Sequence, residues 1–109
     1  MGPTELNLVR PSGYSWYFRI LHLSRNKVWD RANSTLSETP NYANTAIEAV
    51  YDSSKGAYVM KIPAGLPAGR CDLIFYNANY LSAADTDNSE GGYRFHWNGK
   101  NIFGELIAL

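Results

Sequence analysis

The stretch that decides the fold is residues 56–76, GAYVMKIPAGLPAGRCDLIFY. Large apolar side chains occupy every second position on both sides of a central loop: Tyr58, Met60 and Ile62 before it, and Cys71, Leu73 and Phe75 after it. A period of two indicates a half-buried β-strand. The intervening residues 63–69 hold two prolines and two glycines, which continue neither a strand nor a helix. The stretch therefore predicts two strands joined by a loop.

Two strands are predicted upstream of this stretch. Residues 5–9 (ELNLV) predict a first short strand, and residues 14–23 (YSWYFRILHL) predict the longest strand of the chain. Within the second, Trp16, Phe18 and Ile20 form an unbroken apolar set on one face, so we expect these three side chains to point into the core.

The next segments predict a hairpin, a polar loop and a further strand. Residues 24–27 predict the turn, and residues 28–30 the start of its return strand. Residues 31–44 are polar and predict a long loop with room for a brief edge strand. Residues 45–51 (TAIEAVY) predict a strand, with a single helical turn as the alternative. Residues 52–56 then read as a hairpin loop.

The C-terminal part of the chain predicts a final hairpin. Residues 77–92 are rich in Asp, Asn, Ser and Gly and predict a loop, and residues 93–97 (YRFHW) predict a strand. The pair Asn98-Gly99 predicts a two-residue type I′ turn, because both central positions of that turn need positive φ. Residues 100–109 are read as the return strand or as the beginning of a C-terminal extension. Their apolar side chains need burial against their own sheet or a partner.

Short strands with turn signals every ten or so residues predict an all-β fold, an antiparallel β-sandwich of about seven to eight strands. The 109 residues suit a single domain over 1–109, either alone or as a segment of a longer chain.

Composition argues against several classes of protein. Ten basic and ten acidic residues balance and are scattered, so we expect no nucleic-acid partner. No apolar run approaches the ~20 residues of a membrane-spanning helix, and the first residues do not resemble a signal peptide. The single Cys71 has no intramolecular disulfide partner and is expected to act as a small buried apolar residue.

No motif predicts catalysis, a cofactor or a metal. Residues 85–90 (DTDNSE) carry clustered oxygen ligands of the kind that calcium prefers, but Glu90 stands where the EF-hand pattern needs glycine. The histidines His22 and His96 are flanked by strand residues and are expected to be structural. A small hydrolase would require a histidine within hydrogen-bonding reach of a carboxylate.

Aromatic side chains offer the candidate contact residues. Tyr42, Tyr80 and Asn79 lie in predicted loops, where tyrosine and asparagine suit adaptable binding to a protein or to a glycan. Trp29 is a fourth candidate contact, although Trp29 and Trp97 are expected to fill the core. A carbohydrate-binding module would need such rings exposed and coplanar.

Three groups of residues carry a resemblance to a known family. They are Val28, Trp29 and Asp30; then Gly56, Tyr58, Ile62, Pro63, Ala68, Gly69, Phe75 and Tyr76; then Ala83, Asp85, Trp97 and Gly99. In this order they resemble the small immunoglobulin-like β-sandwich modules of phage and prophage structural proteins, typically accessory domains of the tail or baseplate. The chain departs from that pattern at Cys71, where a tyrosine is expected.

The resemblance implies an immunoglobulin-like sandwich that is not an enzyme. It implies a structural or protein-interaction module with no catalytic residue and no cofactor. Its partners would be other structural proteins of an assembly, a second copy of the chain included, and its location the virion or, during assembly, the bacterial cytoplasm. A carbohydrate-binding module is the alternative function, with a glycan as its partner.

Overall fold

The computed structural model describes residues 3–77 and 89–109. These residues form ten strands and one short 3-10 helix (Tyr42–Thr45). The strands are β1 (Glu5–Leu8), β2 (Trp16–His22), β3 (Lys27–Asp30), β4 (Thr35–Ser37), β5 (Ile47–Glu48), β6 (Val50–Asp52), β7 (Ala57–Lys61), β8 (Gly69–Asn77), β9 (Gly92–Trp97) and β10 (Ile102–Ala108). Within the described ranges, no helix has the length and apolar character that crossing a membrane requires.

The strands form two antiparallel sheets that share one core. The smaller sheet has three strands in the order β1-β7-β6, and the larger has seven, with β10-β9-β8-β2-β3-β4 in line and β5 beside β2. A B-E-D sheet facing a C″-C′-C-F-G sheet is the arrangement of the immunoglobulin variable-type sandwich. Strands β1, β7 and β6 take the first set of places, and β4, β3, β2, β8 and β9 the second. The predicted all-β sandwich is confirmed.

The stretch that decides the fold contributes one strand to each sheet. Strand β7 lies between β1 and β6, whereas β8 lies between β2 and β9, so the Pro/Gly-rich loop crosses from one layer to the other. The alternating side chains predicted to face inward are all buried: Tyr58, Met60, Ile62, Cys71, Leu73 and Phe75. They meet Phe18, Ile20 and Phe95 in the shared core.

The strand count exceeds the seven or eight expected because one predicted strand is divided and a brief edge strand is added. Residues 45–51 yield β5, which pairs with β2, and the beginning of β6, which pairs with β7 in the other sheet. Ala49 lies buried between them, and its N–H donates to the Trp16 carbonyl at 3.0 Å. The brief edge strand considered within residues 31–44 is present as β4, which pairs with β3.

The last hairpin forms, but not through the predicted turn. Trp97 pairs with Ile102, so residues 98–101 form the loop, and only Gly99 among them has a positive φ, of 96°. The Asn98 carboxamide oxygen accepts hydrogen bonds from the N–H groups of Lys100 and Asn101, at 2.9 and 2.7 Å. The type I′ prediction was wrong because the Asn98 side chain closes a longer Asx-type loop. The strand reading of the following segment is confirmed as β10.

Candidate functional site

Tyr42 belongs to a cluster on the outer face of the larger sheet. The guanidinium carbon of Arg19 lies 5.0 Å from the centroid of the Tyr42 ring and 4.8 Å from that of Tyr76. Arg19 is 2% exposed, and its Nε donates to Thr45 Oγ1 at 2.6 Å. Burial lowers the pKa of Arg19, and the Tyr76 ring partly opposes that shift. The half-buried Tyr42 therefore helps to hold a buried cation in place.

The candidate tryptophans are in the interior. Trp29 and Trp97 are each 3% exposed, and the indole N–H of Trp97 donates to the Leu66 carbonyl at 2.9 Å. The core interpretation of these two residues is confirmed, and neither offers a ring face to a sugar. Tyr80 and Asn79 lie outside the described residues.

The two histidines are on opposite faces of the larger sheet. His22 is buried, and its Nε2 lies 3.0 Å from the Pro67 carbonyl oxygen, whereas His96 is exposed. In the parts of the chain that the structure describes, no group of three or more His, Cys, Asp or Glu side chains is placed to hold a metal ion. Most of the 85–90 segment considered for calcium is outside those parts.

Cys71 lies in the core, fully buried. Desolvation, with a smaller contribution from the charge of Asp72, raises the pKa of its thiol to about 12. A thiol with so high a pKa is not a nucleophile near neutral pH, which confirms the expected apolar role.

The strongest surface feature is strand β10 at the edge of the larger sheet. Four apolar side chains along it and just after it are exposed: Phe103 (50%), Leu106 (44%), Ile107 (39%) and Leu109 (49%). Among the described residues, β10 pairs as a strand only with β9. On its other side the Ile102 N–H donates to the Pro3 carbonyl at 2.7 Å, so the N-terminal segment covers the beginning of this edge. The expected need of this apolar run for burial is only partly met by its own sheet.

A bulge interrupts the pairing of β10. Phe103 pairs with His96 and Ile107 with Arg94, so β10 has more residues than β9 between these two pairs. Gly104, in the bulged part of β10, has φ 71°. Bulges and charged residues on an edge, here Glu105, limit indiscriminate strand pairing.

The sheet face beside β10 adds basic groups to the apolar ones. Arg94 makes two hydrogen bonds to the Asp72 carboxylate, at 2.7 and 2.9 Å, and Asp72 raises the pKa of Arg94. Arg70 and His96 are exposed neighbours across the β8–β9 ladder. Aromatic and arginine side chains are enriched at protein–protein interfaces, so this corner of the sheet has the composition of a contact surface.

Comparison with protein-family models gives no match for this chain, and searches of the curated proteins and of the solved structures give none either. Arguments about function therefore rest on the geometry of the chain itself.

Proposed function

We propose that this domain is a non-catalytic interaction module that contacts another protein chain through the β10 edge. The observation that carries the proposal is the exposure of Phe103, Leu106, Ile107 and Leu109 along and just after β10, the last strand at this side of the larger sheet among the described residues. Apolar side chains concentrated at one place on a surface favour a partner that removes them from water.

The position of β10 at the end of the described strand order suggests how the partner binds. An extended segment that adds a strand to a sheet edge gains main-chain hydrogen bonds, and side-chain pockets give it specificity. Phe103 and Ile107 project on the same face as the exposed His96 and the half-buried Arg94. A partner strand would therefore bury apolar groups while its neighbouring side chains meet basic ones.

The assembly that we propose is a phage or prophage particle, with other structural proteins as partners. The residue pattern from Val28 to Gly99 supports this part of the proposal, because it resembles accessory domains of such particles. An immunoglobulin-like fold does not itself indicate a function.

Photo-crosslinking in the native host tests the proposal. A photo-reactive phenylalanine analogue in place of Phe103 should give adducts with another polypeptide, identified by mass spectrometry as a structural protein of the assembly. The same analogue at Tyr14, which is 66% exposed and lies before β2, is the matched control and should give far fewer.

Either of two results would contradict the proposal. Equal adducts at both positions, or none at Phe103, would mean that β10 is not the contact. Saturable binding to a polysaccharide that is lost in Tyr80→Ala would favour the carbohydrate-binding alternative, which now depends on Tyr42 and Tyr80 without the two buried tryptophans.

A further inference from the structure

A groove of about 390 Å³ opens over the edge of the Trp29 indole. It shares no lining residue with β10. Both sheets and the loop that crosses between them contribute to its lining, chiefly Trp29, Arg31, Ile47, Lys61, Ile62 and Pro63. Two further grooves, of about 560 and 300 Å³, each share two lining residues with it. Together they form a track that suits an extended chain more than a compact ligand.

The charges of this groove have one sign. Among its lining residues, all of which the structure describes, Arg31 and Lys61 are the charged ones, and none is a carboxylate. Two cations at the rim of a low-dielectric surface favour an anionic group between them.

Arg31 is held in place by the backbone of another segment. The backbone N–H of Arg31 donates to the Asn44 carbonyl at 3.0 Å, and its side-chain Nε donates to the Ala46 carbonyl at 2.7 Å. No described residue accepts a hydrogen bond from its two Nη groups. An anchored guanidinium with free Nη groups is prepared for the paired hydrogen bonds that a carboxylate makes.

The other lining residues indicate which chemical groups of a ligand would lie beside its carboxylate. Ile62 and Trp29 are buried beneath the groove, Ile47 is half-buried, and Ser34 is the only uncharged polar side chain in the lining. A sugar would need several polar partners for its hydroxyls and an exposed aromatic face, and Trp29 is 3% exposed. Apolar groups suit this floor better.

We propose that this groove binds a short extended segment of a partner protein, in which an acidic side chain is flanked by apolar ones. The acidic side chain lies between Arg31 and Lys61, and its apolar neighbours cover Ile47 and the edge of Trp29. The groove would thus recognise an acidic segment of a partner at a site separate from the β10 edge.

The test compares two capped tripeptides that differ only in charge, acetyl-Ile-Asp-Ile-amide and acetyl-Ile-Asn-Ile-amide. In ¹H–¹⁵N NMR titrations of the whole chain, the Asp peptide should shift the Trp29 indole and Arg31 signals and bind about tenfold more tightly than the Asn peptide. Arg31→Gln and Lys61→Gln should each remove most of that preference. Arg25→Gln, in the exposed β2–β3 turn, is the matched control and should keep it.

The outcomes separate this proposal from the one for β10. Equal binding of both peptides, or an unchanged preference in Lys61→Gln, would overturn the groove site. Shifts of the same signals by glucuronate but not by the Asp peptide would assign an acidic sugar and overturn it too. Phe103→Ser should leave the peptide preference intact, since it alters only the β10 surface.

Discussion

Two glycines allow β8 to lie close to its neighbours, β9 on one side and β2 on the other. Gly92 opens β9 opposite Ile74, and a side chain there would overlap the Leu73 carbonyl oxygen. At the start of β8, a methyl group on Gly69 would lie 2.5 Å from Cε1 of the buried His22 ring, and Gly69 has φ 151°. Both glycines are visible in the sequence, but their neighbours come from other strands, so their roles could not be predicted from it.

The burial of Cys71 leads to a prediction about its reactivity. Because the pKa of the thiol is raised from 9.0 to about 12, the folded protein at pH 8.5 should carry almost no thiolate, which is the reactive form. Alkylation by iodoacetamide should be slower in buffer than in 8 M urea by a factor on the order of 1000. Comparable rates in the two solutions would mean that Cys71 is accessible.

The same pKa shift makes the stability of the fold decrease at high pH. Since the folded-state pKa is raised, the contribution of Cys71 is fully present below about pH 9 and is lost as pH rises toward about 12. Cys71→Ala should therefore show a shallower loss of unfolding free energy over this range, with all other titrating groups unchanged.

At the scale of elements, a buried hydroxyl group is one of the contacts that hold the 3-10 helix to the sheet. Thr45 is fully buried, and its Oγ1 accepts from Arg19 Nε and donates to the Tyr42 carbonyl, both at 2.6 Å. The sequence analysis placed Tyr42 in a polar loop and Thr45 in the strand predicted over residues 45–51. It did not indicate that they cover Arg19, because that contact joins positions far apart in the chain.

Replacing this hydroxyl should destabilise the domain. Thr45→Val keeps the shape of the side chain but leaves the buried Arg19 Nε–H without its acceptor, so we expect a loss of about 2–3 kcal/mol in urea unfolding. Thr45→Ser keeps the hydroxyl and loses one methyl group, at a cost of about 1 kcal/mol. If Thr45→Val is no worse than Thr45→Ser, the hydroxyl does not hold the helix to the sheet.

Sequence alternation predicted the faces of the strands but not their sheets. The inward positions of β7 and β8 are as expected, since the face on which a side chain lies is a local property. The prediction of half-buried strands was wrong, because Val59, Ile74 and Tyr76 on the opposite faces are buried as well. The division of residues 45–51 between two sheets was missed because the change of sheet occurs at Ala49, which carries no turn signal. The Asn98 loop was missed because its geometry depends on a side-chain hydrogen bond rather than on φ preference.

At the scale of the whole molecule, the unequal sheets explain where the proposed contact surface lies. Three strands face seven, and β10 extends the larger sheet beyond β9 as its edge strand, with apolar side chains in water. The sequence indicated an apolar C-terminal run in need of burial. It did not indicate the groove at Arg31, because residues from β3, β5 and the β7–β8 loop meet there only in the fold.

The central claim is that the exposed apolar side chains of β10 are not required by the fold of the chain itself. Urea unfolding of Phe103→Ser and Phe95→Ser tests it, since Phe103 is 50% exposed on β10 and Phe95 is fully buried on its neighbour β9. We expect a loss below about 1 kcal/mol for Phe103→Ser and of about 3–5 kcal/mol for Phe95→Ser. A similar loss at both positions would contradict the account, because Phe103 would then be part of the core rather than of a contact surface.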